Sequence, residues 1–257
     1  MSAPRVLAVV NQKGGVGKTT TSVNLAAALA KSERRVLLVD LDPQGNATMG
    51  SGVDKRNAAR TVYHVLLGLC ELPAARVRVE RAGFDLVPAN RELAGAEVEL
   101  VELPGREMRL KTALERVLDE YDFVLIDCPP SLSLLTVNAL TAAERVLIPM
   151  QCEYYALEGL SDLVATIKRV RAHLNPNLEI AGLLRTMYDP RNTLSQQVSQ
   201  QLEAHFGEKV YRTLVPRNVR LAEAPSYGVP AVLWDASSKG AQAYVALAHE
   251  ILERAAA

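Results

Sequence analysis

Lys13-Gly14-Gly15-Val16-Gly17-Lys18-Thr19-Thr20 is the stretch whose reading decides the fold. Ahead of it, Arg5–Val10 (Arg-Val-Leu-Ala-Val-Val) is an apolar run of the kind a buried parallel strand needs. Behind it, Val23, Ala26, Ala27, Leu29 and Ala30 recur at helical spacing. Strand, glycine-rich turn and helix together make a phosphate-binding loop. Glycines let the backbone curl, its N–H groups turn toward phosphate oxygens, and the helix N-terminus adds partial positive charge. Lys18 then reaches the β- and γ-phosphates, and the Thr19 hydroxyl sits on Mg²⁺. The plainer alternative is a chance glycine turn beside a strand. Five constrained positions in the right strand–helix context weigh against it.

Outward from the loop, apolar runs alternate with helical patterns along most of the 257 residues. The strand candidates are Arg5–Val10, Val36–Asp40, Phe84–Pro88, Phe123–Asp127, Arg145–Met150, Glu179–Met187 and Val210–Val215. Helical patterns fall at Thr19–Lys31, Thr61–Leu69, Glu92–Val101, Arg109–Glu120, Leu134–Ala142, Leu157–His173, Leu194–Phe206 and about Gly240–Arg254. Such alternation predicts an α/β fold: a P-loop NTPase-like, mostly parallel central sheet with helices on both faces. Proline and glycine gather at turns without forming a linker, so residues 1–257 are expected to make one domain.

Composition narrows the function classes. With 29 basic and 29 acidic residues the formal net charge is +0, which argues against constitutive nucleic-acid binding by bulk charge and leaves room for a local basic patch. No apolar stretch is long enough to span a bilayer, and no signal peptide is evident. Cys70, Cys128 and Cys152 contain no C-x-x-C pair and read as small apolar residues of a reducing compartment.

Ligands of open α/β sheets bind outside the carboxyl ends of the strands, and the polar motifs fall there. Leu125-Ile126-Asp127 ends an apolar strand in a carboxylate that can hold a Mg²⁺ water, or else cap the next segment. Asp40-Leu41-Asp42-Pro43-Gln44-Gly45-Asn46 carries two carboxylates two residues apart. Asp42, in the stretch begun by Pro43, can orient a water or a metal-bound water; Asp40 reads as metal-linked or structural, and turn capping is the alternative for both. Two consecutive prolines stiffen Asp127-Cys128-Pro129-Pro130-Ser131-Leu132. A last motif, Val215-Pro216-Arg217-Asn218-Val219-Arg220-Leu221-Ala222-Glu223-Ala224-Pro225-Ser226, follows the final strand.

The loop departs from the standard G-x-x-x-x-G-K-[ST] pattern, with Gln12 at the first glycine's place and Lys13 opening the turn. This Lys-Gly-Gly-x-Gly-Lys-Thr run resembles the deviant Walker A box of the ParA/MinD family, and the later motifs resemble that family's switch I, switch II and P-R-N-x-x-x-x-E-A-P segments, in order, over essentially the whole chain. The nearest pattern is that of short, chromosomal-type, Soj-like ParA ATPases.

The resemblance implies ATP and Mg²⁺ as ligands and slow hydrolysis to ADP and phosphate. It implies nucleotide contacts from Lys13, Gly14, Gly15, Val16, Gly17, Lys18, Thr19 and Thr20, with Pro216 and Asn218 holding the base. Thr19, Asp42 and Asp127 would serve the metal, and Lys13, Lys18 and Asp42 the chemistry, Lys13 reaching across the interface of an ATP-bound homodimer. Arg191 and Arg220 stand where chromosomal members contact DNA. The function implied is a partition switch. Its ATP dimer grips non-specific double-stranded DNA, and a ParB-type partner stimulates the hydrolysis that releases it.

Such a protein would be cytoplasmic, and nucleoid-associated when ATP-bound. Neither an N-terminal helix-turn-helix domain nor a C-terminal membrane-targeting helix is expected: the tail Tyr244–Arg254 has mixed charges and apolar residues that suit core packing. Alternatives of other classes are a MinD-like membrane-cycling regulator, a positioning ATPase or nucleotide-binding scaffold for another cargo, and an Fe–S relative, for which the cysteines show no pairing logic.

Overall fold

Continuous apolar runs flanked by glycine-containing turns become parallel strands buried on both faces. The computed structural model describes residues 6–154 and 156–256; Arg5, the expected first residue of the first strand, lies outside them. Eight strands form one sheet: β1 (Val6–Val9), β2 (Val36–Asp40), β3 (Val77–Val79), β4 (Phe84–Val87), β5 (Phe123–Asp127), β6 (Arg145–Gln151), β7 (Glu179–Tyr188) and β8 (Val210–Pro216). Their order is β3-β4-β2-β5-β1-β6-β7-β8. All neighbours run parallel except β3, which pairs antiparallel with β4 at the edge. The mostly parallel architecture is the expected one.

The two-residue period of a strand divides the core into two layers. Val6, Ala8, Leu37, Val39, Val124 and Ile126 face one side, where helices Val62–Leu67, Arg109–Glu115, Leu134–Ala142, Ala156–His173 and Thr193–Phe206 supply partners such as Leu66, Leu110, Leu135, Leu163 and Leu202. Leu7, Val9, Leu38 and Leu125 face the other, against α1 (Lys18–Lys31) and the Lys239–Ala256 helix. Each fully buried Val, Leu or Ile among these stabilises the fold by roughly 1.5–3 kcal/mol. The tail helix buries Tyr244, Leu247, Ala248 and Ile251 here, and the Tyr244 hydroxyl meets that of Thr21 on α1 at 3.1 Å. Its apolar stripe is core packing, as its composition suggested. Among the described residues no helix is long and apolar enough to cross a membrane.

The departures from expectation are local. β3 is three residues long with only Val79 buried, too little for an apolar run to register. The expected helix at Thr61–Leu69 is Val62–Leu67, stopped by Gly68 at φ 75°. The one expected at Glu92–Val101 ends at Glu99 and tightens into a 3₁₀ turn, Leu100–Glu102; that at Arg109–Glu120 ends at Glu115. Four helices of under two turns were not anticipated: α2 (Asn46–Gly50), Leu72–Ala75, Val219–Glu223 and Ala231–Trp234.

Topology then places the motifs. β2, β5 and β1 are adjacent, and their register sets Asp40 opposite Asp127 and Asp127 opposite Val9. The loop after β1 and two carboxylates therefore share one end of the sheet.

Candidate functional site

Gly15 (φ 73°) and Gly17 (φ 89°) occupy the left-handed region, which turns the chain from β1 into α1. Gly17 is the N-cap and offers no side-chain acceptor, so the first N–H groups of α1 stay available. Neighbouring strands hold the loop by its carbonyls: Thr186 Oγ1 donates to Val16 O at 2.8 Å and Gln151 Nε2 to Gly15 O at 3.0 Å. Asn11 Oδ1 accepts the Lys13 N–H at 2.9 Å. Lys18 is 7% exposed and its Nζ donates to Lys13 O at 3.1 Å, inside the loop. Burial pushes its ammonium below the usual lysine range, while Asp127 and Asp42 oppose that shift.

Both carboxylates at the strand ends are fully buried. Asp127 accepts Thr19 Oγ1 (Oδ2, 2.8 Å) and Ser22 Oγ (Oδ1, 2.8 Å), so it faces the first turn of α1, and among the described residues it caps no following segment. Burial, with Asp40 close by, raises its carboxyl to about 8. Asp40 is raised to about 6, again chiefly by burial. Its oxygens accept Asp42 N (3.2 Å), Thr48 N (2.8 Å) and Thr48 Oγ1 (2.7 Å), contacts that suit its structural reading. Asp42 itself is 8% exposed, within electrostatic reach of Lys18 and Asp127, and its Oδ1 accepts Gln44 N at 2.9 Å. The turn-capping alternative and the placement at the site are both realised in that residue.

Lys18, Thr19, Asp42 and Asp127 thus converge, as their positions after β1, β2 and β5 predict. The residues present fit a nucleotide with a hard cation. A Cβ on Gly14 or Gly15 would meet nothing within 4 Å, so the turn opens outward; buried Gln12 Nε2 has no partner among the described residues; and Thr19 and Asp127 pair a hydroxyl with a carboxylate.

The AAA domain family model matches residues 4–180. The chromosome partitioning protein ParA of Caulobacter vibrioides is 54% identical over 252 residues, 97% of this chain and 94% of that protein. The sporulation initiation inhibitor protein Soj of Bacillus subtilis is 53% identical over 247 residues, 96% and 98% of the two chains. The chain belongs to the ParA/Soj family. Its fold is also that of a solved Mycobacterium smegmatis cobyrinic acid a,c-diamide synthase with bound ADP and magnesium, at 44% identity and a TM-score of 0.86, covering 99% of this chain and 95% of that one.

In this ParA/Soj family member the remaining expected residues are more scattered. Lys13 is half-exposed and ion-paired with Glu153 of its own chain. Pro216 ends β8 opposite Tyr188, and Asn218 caps the Val219–Glu223 helix, its Oδ1 accepting Arg220 N at 3.0 Å. Arg191 is exposed and chelates Asp189 through Nε (3.0 Å) and NH2 (2.9 Å), which holds that carboxyl down to about 2, with Arg217 adding to the effect. Arg220 lies 5.6 Å from the Trp234 ring centroid and pairs with Glu223 (3.0 Å) and Asp235 (3.3 Å). No ion-pair partner is shared between Arg191 and Arg220 among the described residues.

Cys128 and Cys152 are buried, as small apolar residues should be, whereas Cys70 is only half-buried; no cluster of metal ligands occurs among the described residues. Sequence reasoning missed Ser22, Thr48, Gln151, Glu153 and Thr186. Only Ser22 carried a local signal, standing one helical turn beyond Thr19 on the same face; the others act across 8 to 170 positions of sequence.

Proposed function

We propose that this chain is a partition ATPase that binds ATP·Mg²⁺ in the Gly14–Thr20 loop and uses the nucleotide to switch its grip on DNA. The observation that carries the reading is the meeting of Lys18, Thr19, Asp42 and Asp127 at the ends of three adjacent strands. The phosphate loop alone would suit the amide-forming relative equally well. Identity of 53–54% to ParA and Soj over nearly their full lengths supports partition.

Within the site, loop N–H groups and Lys18 bind and orient the phosphates, and Pro216 and Asn218 border the base. Thr19, Asp42 and Asp127 would hold the metal. Magnesium, when bound, neutralises phosphate charge and polarises the transferred group. Asp42 orients the attacking water, because phosphoryl transfer needs positioning more than strong base catalysis. Lys13 leaves Glu153 and reaches the nucleotide of a second copy as two chains close face to face. Closure doubles the Arg191 and Arg220 surface, so that a weak patch on one chain becomes a grip on phosphate backbone. A ParB-type partner accelerates hydrolysis and returns the chain to the monomer.

The test pairs phosphate release with titration of a random-sequence duplex in ATP·Mg²⁺, ADP·Mg²⁺ and no nucleotide, at two salt concentrations. Binding confined to ATP and steeply weakened by salt supports the switch. Equal binding in all three states would sink it, and hydrolysis without DNA binding would leave only the ATPase.

A further inference from the structure

We propose that Thr48 is a positioning residue for hydrolysis: it locks the Asp42 segment to the loop after β4 through a buried hydrogen-bond relay. The inference rests on the ATPase reading and names a residue outside the phosphate loop. Thr48 is fully buried on α2, eight residues beyond Asp40. Its hydroxyl is used in both directions, donating to Asp40 Oδ2 at 2.7 Å and accepting the Ala89 N–H at 2.9 Å. Its own N–H goes to the same Asp40 oxygen at 2.8 Å, and the other Asp40 oxygen takes the N–H of Asp42 at 3.2 Å. Ala89, Thr48, Asp40 and Asp42 therefore form one chain of contacts from the loop after β4 to the residue beside Lys18.

Two features make this a lock. Asp40 is buried with no cation bonded to it among the described residues, so its charge is carried by these three donors. Removing the Thr48 hydroxyl takes one donor away and leaves the Ala89 N–H without its acceptor. The second feature is Gly45, at φ 61°, where a Cβ would lie 2.7 Å from Ala89 O. The Asp42–Asn46 segment is pressed onto the Ala89 backbone at the place where the hydroxyl ties it. Asp42 consequently has little freedom of its own, and water positioning tolerates errors well below 1 Å.

The separation of kcat from KM tests this, since the Thr48 hydrogen bonds among the described residues run to Asp40 and Ala89 and not to the Lys13–Thr20 loop. In steady-state phosphate release, Thr48→Val should lower kcat at least about tenfold with KM for ATP within about twofold, and Thr48→Ser should restore kcat to within about threefold of the unsubstituted chain. Gly45→Ala, which pushes the same segment off Ala89 by a different route, should reproduce the kcat loss. Binding of a fluorescent ATP analogue reports that each variant retains its fold. Unchanged kcat in Thr48→Val and Gly45→Ala overturns the proposal. So does a parallel loss of kcat, analogue binding and thermal stability in both, which is what a merely structural threonine gives. Absence of hydrolysis by the unsubstituted chain would instead count against the ATPase reading itself.

Discussion

The Lys13–Thr20 loop and the arginines at 191 and 220 both answer to phosphate in the proposed function, yet they are held in opposite ways. Neutral hydrogen bonds from Thr186 and Gln151 fasten the loop through its backbone, and Lys18 folds into it. Binding there costs little rearrangement. The arginines are instead parked on carboxylates at the surface: Arg191 on Asp189, Arg220 on Glu223 and Asp235. Exposed ion pairs are weak, typically about 0–1 kcal/mol, so a denser row of phosphates displaces them readily. Lys13, parked on Glu153, belongs with the arginines in this respect although it opens the loop. In the proposed function this amounts to a division of labour: a rigid site would recognise the small ligand, and cations neutralised at home would engage the large one only when enough of them are brought together. A net charge of +0 is then no obstacle to conditional DNA binding.

The hardest blow to the rigid half is Lys18→Ala. Loss of a buried cation facing the transferred phosphates should lower hydrolysis by roughly 10³-fold, measured as phosphate release, with the circular dichroism spectrum unchanged. If activity survived, the loop would not be the reaction centre. Next comes pH. The Asp127 and Asp40 carboxyls are raised to about 8 and about 6, so the folded chain keeps protons that the unfolded chain sheds near pH 4. Raised acid pKa values mean that stability is greatest at the low end of that window and declines as pH climbs from about 4 toward about 8. In metal-free buffer, chemical denaturation should register a decline on the order of a few kcal/mol, flattening above pH 8. Asp127→Asn should remove most of that slope.

A smaller effect is expected from Thr186→Val, which removes the buried anchor of Val16 O. It should cost about 1–3 kcal/mol of stability and raise KM for ATP more than it lowers kcat. Should KM stay put, the loop is rigid without its anchors. On the other side of the comparison, Arg220→Glu should leave hydrolysis intact while reducing the slope of log affinity for DNA against log salt by about 1–2 per chain. The gentlest test releases a parked cation: Asp189→Asn should strengthen ATP-dependent DNA binding by no more than about threefold, and weaker binding would reverse the roles assigned to that pair.

How much of this was legible in the sequence follows from the range of the forces involved. Strands β1, β2, β5 and β6 could be read because burial on both faces demands uninterrupted apolar runs. β3 could not, since Val77-Arg78-Val79 is held by its pairing with β4 and has no pattern of its own. The Val219–Glu223 and α2 helices are shorter than two turns, below the length at which periodicity signals anything. Lys18, Thr19, Asp42 and Asp127 were legible because chemistry restricts which residues can stand after a strand beside phosphate. Thr186, Gln151 and Glu153 were not, because strand order, and no local spacing, brings β6 and β7 beside the loop. Nor did the sequence disclose that Arg191 and Arg220 are neutralised by near neighbours, which only side-chain geometry reveals.

The two ends of the sheet bear on colloidal behaviour. An open row of strand N–H and C=O groups invites another chain to add itself, and a protein concentrated along a polymer would meet its own copies often. Here one edge is β3, three residues long, turned antiparallel and studded with Arg78; at the other, Glu250 of the tail helix accepts the Arg212 and Thr213 N–H groups of β8. Edge-to-edge growth, which no nucleotide could reverse, therefore has little to start from at either edge.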